Sequence, residues 1–172
     1  MAAKSKRKGK SGERVICKIF ESTFGGSWQR VFSSGAFIGG ANAVRKEFLS
    51  DGQIKNAKAD IVPPDEFNIV IESKSYQDFP WHKLIQQDPI LLLDAWLDEV
   101  FACIDEDDFW LLCVKIDYKG WFVLFDTKFE PFTYKNHAKY VSSKHSKTFI
   151  ITASLENFLI ENKNYILTLI TK

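Results

Sequence analysis

Residues 60–75 read DIVPPDEFNIVIESKS, where Asp60 flanks one short apolar run and Glu72 and Lys74 stand two residues apart in the next. Successive side chains of a strand point to opposite faces. Asn68, Val70, Glu72 and Lys74 therefore share one face, and Phe67, Ile69, Ile71 and Ser73 the other. Pro63-Pro64-Asp65-Glu66 is turn chemistry, with two fixed φ angles and two polar residues interrupting both ladders. If the flanking runs pair as an antiparallel hairpin, Asp60 returns near Glu72. Two carboxylates and an ammonium then converge at one end of a small sheet.

That set suits a hard divalent cation and a water nucleophile. Mg2+ takes octahedral oxygen coordination, commonly from one or two carboxylates, with waters and substrate phosphate oxygens in the remaining positions. Such a site polarises a phosphate and helps generate hydroxide, while a neighbouring ammonium orients the water or stabilises developing charge. A solvent-facing Glu–Lys pair on an edge strand has the same spacing and no chemistry. Spacing alone leaves both readings open.

The surrounding chain has to supply a core. Its 172 residues, 45% hydrophobic and 26% charged, have the composition of one soluble globular domain, expected over residues 11–172. The 15 Phe and 5 Trp fall largely in strand-like runs. The net charge of +1 is unevenly spread: Lys4, Lys6, Arg7, Lys8 and Lys10 crowd residues 1–10, expected to be a flexible basic arm, and Asp105 to Asp108 are all acidic. Cys17, Cys103 and Cys113 lack ligand spacing and read as buried, reduced thiols, which favours a reducing compartment. No secretory signal pattern and no membrane-spanning apolar run are expected.

Ser11 is placed to cap a helix through GERVICKIFES, with Val15, Ile16, Ile19 and Phe20 as its apolar stripe and Glu13 in its first turn. QRVFSS reads as a strand, and GAFIGGANAVRKEFLSDGQ as a loop with a helical turn over 41–49. Asp88-Pro89 is expected to start a helix through ILLLDAWLDEVFACI, apolar nearly all round, with Asp94 and Asp98 on its narrow polar side. DFWLLCVKI and GWFVLFD form a hairpin, KNHAKYVSSKHSK reads as a basic loop, TFIITA as a strand, and SLENFLIEN as a helix capped by Ser154. This order argues for an α/β or α+β domain with a mixed central sheet flanked by helices.

Taken in order, KGKSGERVICKIF with Glu13, QRVFSSG with Arg30 and Ser33-Ser34-Gly35, KADIVPP with Asp60, and IVIESKS with Glu72 and Lys74 resemble the PD-(D/E)XK nuclease superfamily. Within it, the resemblance is to Holliday junction resolvases of the archaeal and phage type, and it covers about residues 8 to 80. Ala59 stands where the eponymous motif has proline. The resemblance implies a restriction-endonuclease-like core over about residues 11–126 and a C-terminal extension over about 127–172. It implies that Asp60, Glu72, Glu13 and the backbone carbonyl of Ser73 hold one or two Mg2+ ions, with Mn2+ as a substitute. Lys74 would orient or help deprotonate the attacking water, Glu13, Asp60, Glu72 and Lys74 would form the catalytic set, and the products would carry 5′-phosphate and 3′-hydroxyl ends. It also implies DNA recombination or repair in the cytoplasm of a prokaryotic cell or a phage-infected host.

Arg30 has the bidentate geometry to clamp a phosphate, or is an ordinary surface arginine, and Ser33 and Ser34 can donate to the DNA backbone or simply form a turn. Lys8, Lys10 and Arg14 flank the Glu13 helix, Arg45 and Lys46 lie in the long loop, and Lys135, Lys139, Lys144 and Lys147 lie in the late basic segment. Phosphate contacts from such residues carry little sequence information, which suits recognition of branched shape. His82, His137 and His145 lack ligand spacing and read as surface residues. Two symmetric cuts in a four-way junction call for a C2 homodimer. Its surface is expected on helix 89–104 and strands 109–125, with plain core burial as the alternative. The competing functions are another PD-(D/E)XK endonuclease of restriction, nicking or repair type, and a non-enzymatic DNA-binding protein.

Overall fold

The computed structural model describes residues 2–31 and 59–171, with residues 2–10 as backbone only. Among the described residues the strands are β1 (Gln29–Arg30), β2 (Ile61–Val62), β3 (Val70–Tyr76), β4 (Trp110–Ile116), β5 (Gly120–Asp126), β6 (Asn136–Ser142) and β7 (Lys147–Ala153). They form one sheet in the order β1-β2-β3-β4-β5-β7-β6. Helix α1 (Ala2–Phe24) precedes it, α2 (Trp81–Gln86) and α3 (Leu91–Cys103) link β3 to β4, and α4 (Leu155–Glu161) and α5 (Lys163–Ile170) follow β7. The β3–β4 pair is parallel because those two helices carry the chain back across the sheet, and every other pair is antiparallel. This is the mixed, helix-flanked α+β sheet of a restriction-endonuclease-like fold.

Strand alternation divides the core between two faces. Ile69, Ile71, Leu111, Cys113, Val123, Phe125 and Ile150 pack under Ile16 and Phe20 of α1, Phe158 of α4 and Ile166 of α5. Val70, Leu112, Val114, Leu124, Phe149 and Ile151 pack under Leu84 of α2 and Leu93, Trp96, Leu97 and Val100 of α3. β4 and β5 are central and covered on both sides, as near-continuous apolar runs are. The chain's own core therefore accounts for their aromatic content and for most of the apolar surface of α3. The C-terminal segment contributes two strands to the same sheet and two helices to the same core, and Asn68 N donates to Ile170 O at 2.7 Å to tie the end of the chain to the start of β3.

Several local expectations are corrected. α1 begins at Ala2, so Ser11 lies inside the helix and residues 2–10 extend it. α3 begins at Leu91 with Ile90 at its N-cap, so Asp88-Pro89 precedes the helix without capping it. Residues 136–142, read as loop, are the edge strand β6, because Ala138 and Tyr140 alternate with exposed polar neighbours against β7. His145 is largely buried, its side chain 13% exposed, with Nε2 3.4 Å from Asp98 Oδ1. The helical turn expected over 41–49 lies outside the described residues. Ser154 does cap α4, accepting from Asn157 N, and the hairpin through residues 117–120 joins β4 to β5, with Ile116 opposite Gly120.

Asp94 is the clearest departure from its expected polar-surface role. It is 5% exposed, and its Oδ1 accepts from both Tyr140 Oη and Ser142 Oγ at 2.7 Å, fastening α3 to the sheet edge at β6. Removing the carboxylate leaves two buried hydroxyl protons without their acceptor, so Asp94→Ala is expected to cost about 3 kcal/mol. Urea unfolding checks this. The midpoint should fall with the slope unchanged, and a loss below about 1 kcal/mol would mean that the network contributes no net stability.

Candidate active site

The hairpin predicted around residues 63–66 is present, and it fixes Asp60 through its backbone. Ile61 pairs with Ile71, Asp60 N donates to Ile71 O at 3.1 Å, and Val31 N donates to Asp60 O at 2.9 Å. Asp60 is thus held between β1 and β3, and its Oδ2 accepts from Ser73 N at 2.9 Å. A strand residue directs its N–H and C=O to the same side, so the Ser73 carbonyl faces the Asp60 side as well. The residue before Asp60 shows why the motif's proline is missing. Ala59 has φ 60°, a left-handed conformation that the proline ring forbids and that costs an alanine about 1–2 kcal/mol.

Glu72 and Asp60 are 7% and 8% exposed, and the Asp60 charge acts on the Glu72 carboxyl. Burial and then the charge of Asp60 push the Glu72 carboxyl up to about 7, against the opposing pull of the Lys74 ammonium. Lys74 Nζ donates to Glu72 Oε1 at 2.7 Å and to Glu99 Oε2 at 2.5 Å. Burial disfavours the ammonium, but Glu72 and Glu99 outweigh it and hold Lys74 protonated above the ordinary lysine range. Lys74's side chain is 14% exposed, so the solvent-facing ion pair is not what this strand holds.

Glu99, on α3, was not singled out in the sequence. Its contact crosses 25 positions, and its own helix gave no periodic signal for it. α3 runs back along β3, placing Cys103 beside the Asp60–Glu72 end, Glu99 on Lys74 and Trp96 on Tyr76. On the opposite face α1 approaches closely at Gly12, where an added Cβ would lie 3.3 Å from the Trp121 ring and 3.9 Å from Ser73 Oγ.

Glu13 and Arg30, read as metal ligand and phosphate clamp, are partners of each other. Arg30 Nε donates to Glu13 Oε2 at 2.7 Å, with both side chains at most 15% exposed. Among the described residues no group of three or more Asp, Glu, His or Cys is arranged to hold a metal. Arg14 is exposed on α1. Lys8 and Lys10 lie on the same helix, where only the backbone is described, and Ser33, Ser34, Arg45 and Lys46 lie outside the described residues. In the late basic segment Lys144 pairs with Asp98 at 2.5 Å and Lys147 with Asp126 at 3.1 Å, while Lys139 is exposed on β6.

The site nevertheless has the donors a hard divalent cation takes: two buried, electrostatically coupled carboxylates and a backbone carbonyl on the Asp60 side. Asp60 just ahead of β2 and Glu-x-Lys on β3, in a mixed sheet between helical layers, are the arrangement expected of a PD-(D/E)XK nuclease. A family model described as "Phage putative PDDEXK endonuclease" matches residues 4–171, and the chain belongs to that family. No curated protein and no solved structure matched it significantly. PD-(D/E)XK nucleases generally use divalent metals. Among the described residues no helix is long and apolar enough to cross a membrane.

A carboxyl group raised from 4.5 to about 7 has a defined stability consequence. Between those values the folded state holds a proton that the unfolded state has released, so stability falls as pH rises through that window and the cost is complete above it. Glu72→Gln removes the cost. In metal-free protein the variant should melt above wild type at about pH 8, and the two should converge toward about pH 5. A melting advantage independent of pH would show that Glu72 is not the group being relieved.

Proposed function

We propose that this nuclease is a metal-dependent, structure-selective DNA endonuclease that acts as a Holliday junction resolvase. The buried Asp60–Glu72–Lys74 constellation carries the nuclease part of that reading. Asp60, Glu72 and the Ser73 carbonyl would hold Mg2+, with Mn2+ as a substitute. The ion would supply charge neutralisation at the scissile phosphate and a more acidic water. Glu72 and Glu99 hold the Lys74 ammonium where it can orient that water or stabilise charge on the phosphate. In-line attack of water on phosphorus breaks the bond to the 3′ oxygen and leaves 5′-phosphate and 3′-hydroxyl ends.

Arg30 can exchange Glu13 for a substrate phosphate, since a guanidinium forks onto either anion. Glu13 would then be released toward the ligand set, and Lys8, Lys10, Arg14, Ser33, Ser34, Arg45 and Lys46 would contact the DNA backbone. Junction resolution adds a C2 homodimer, because two symmetry-related strands are cut. Its setting would be the cytoplasm of a prokaryotic cell or a phage-infected host.

A labelled four-way junction and a linear duplex of the same sequence, incubated with Mg2+ or EDTA, test this reading. Paired symmetric cuts in the junction alone, abolished by EDTA, are expected. Equal cutting of both substrates would keep the nuclease and remove the resolvase. Asp60→Asn and Glu72→Gln should each slow cleavage by about a hundredfold or more while junction binding in a gel-shift assay persists. Lys74→Ala should also be slow, and wild-type turnover would reduce Lys74 to a structural ion pair.

A further inference from the structure

Beyond Glu72 and Lys74 the same face of β3 carries Tyr76. Two residues of strand advance about 6.6 Å and four about 13 Å, so Tyr76 stands within one or two nucleotide steps of the carboxylate pair. The residue is 42% exposed, and its ring centroid lies 4.9 Å from that of Trp96, which is 2% exposed. Trp96 rests in turn on Phe79 at 5.9 Å, and Phe79 on Trp81 at 4.8 Å. Trp96 and Glu99 are neighbours on α3, so the helix turn that holds Lys74 also backs Tyr76. An aromatic ring fixed from behind by a packed aromatic cluster, yet open to solvent beside a phosphodiester-cutting site, has the properties of a base-stacking platform.

We propose that Tyr76, supported by Trp96, stacks an unpaired nucleobase of the strand entering the site. The inference rests on the reading of the chain as a DNA endonuclease. It narrows the substrate to DNA that is single-stranded or splayed next to the cut, the state that gaps, flaps and branch points present. Stacking on a π face is indifferent to base identity, so the platform selects DNA structure without selecting sequence.

The test uses the full-length protein in EDTA, so that binding is read apart from cleavage. The probe is a gapped duplex with 2-aminopurine one or two nucleotides into the gap, compared with a fully paired duplex. Wild type and Tyr76→Phe should quench the probe. Tyr76→Leu, which keeps Trp96 covered but has no ring, should lose the quench and bind gapped DNA about tenfold more weakly. Its duplex affinity and melting temperature should stay at wild-type values. Retained quench and affinity in Tyr76→Leu, or an equal loss on gapped and paired DNA, would overturn the proposal. So would a Tyr76→Phe variant as defective as Tyr76→Leu. Quenching by a wild type that then fails to cut any DNA with Mg2+ would leave the platform standing and remove the nuclease reading. Absence of all DNA binding would overturn both.

Discussion

The Asp60 and Glu72 carboxylates, each less than a tenth exposed, repel one another, and the local fold holds them in place against that repulsion. In a poorly solvated setting that repulsion is weakly screened, and a looser scaffold would relieve it by turning one side chain into water. Here the relief is blocked by the backbone. Asp60 has its amide on Ile71, its carbonyl on Val31 and its carboxylate on the Ser73 amide, so no rotation of one bond frees it. The left-handed Ala59 just before it belongs to the same constraint, since strain of that kind persists only where the surroundings over-determine it.

The rest of the sheet supplies rigidity and partial charge compensation. β3 is anchored by the parallel β4, which is central and buried on both faces, and the α2–α3 crossover that makes this pairing possible also delivers Glu99 to Lys74. Among the described residues Lys74 pairs with Glu72 and Glu99, Arg30 with Glu13, and the Ser73 amide donates to Asp60. Carboxylates gathered on a rigid strand favour binding of a cation, which would relieve their mutual repulsion.

What was legible in the sequence was what short-range rules govern. Period-two alternation placed Glu72 and Lys74 on one face, and the Pro63-Pro64 turn returned Asp60 to them. The Ser154 cap and the turn at residues 117–120 were equally local. The missed features depend on distant partners. Glu99 and Asp94 both sit on a helix that reads as apolar nearly all round with a narrow solvent-facing polar side, yet one is claimed by Lys74 and the other by Tyr140 and Ser142. β6 was hidden because an edge strand buries only alternate residues, and its polar remainder reads as loop. The Glu13–Arg30 pair was invisible for a further reason. Each residue was assigned a ligand of its own, and only the close approach of α1 to the sheet reveals that they meet.

The course of α1 changes what the basic N-terminus can contribute. A free arm carrying Lys4, Lys6, Arg7, Lys8 and Lys10 would add affinity without direction, since its charges could reach phosphates on any side. A continuous helix from Ala2 to Phe24 spans roughly 34 Å and is anchored at its C-terminal half by Ile16, Ile19 and Phe20 in the core. Gly12 seats it against β3 one residue before Glu13, so the basic half projects from the site along a fixed line. Positive charge on such an element favours one approach of a nucleic acid over others. Such a bias acts through the phosphate backbone and reads no base.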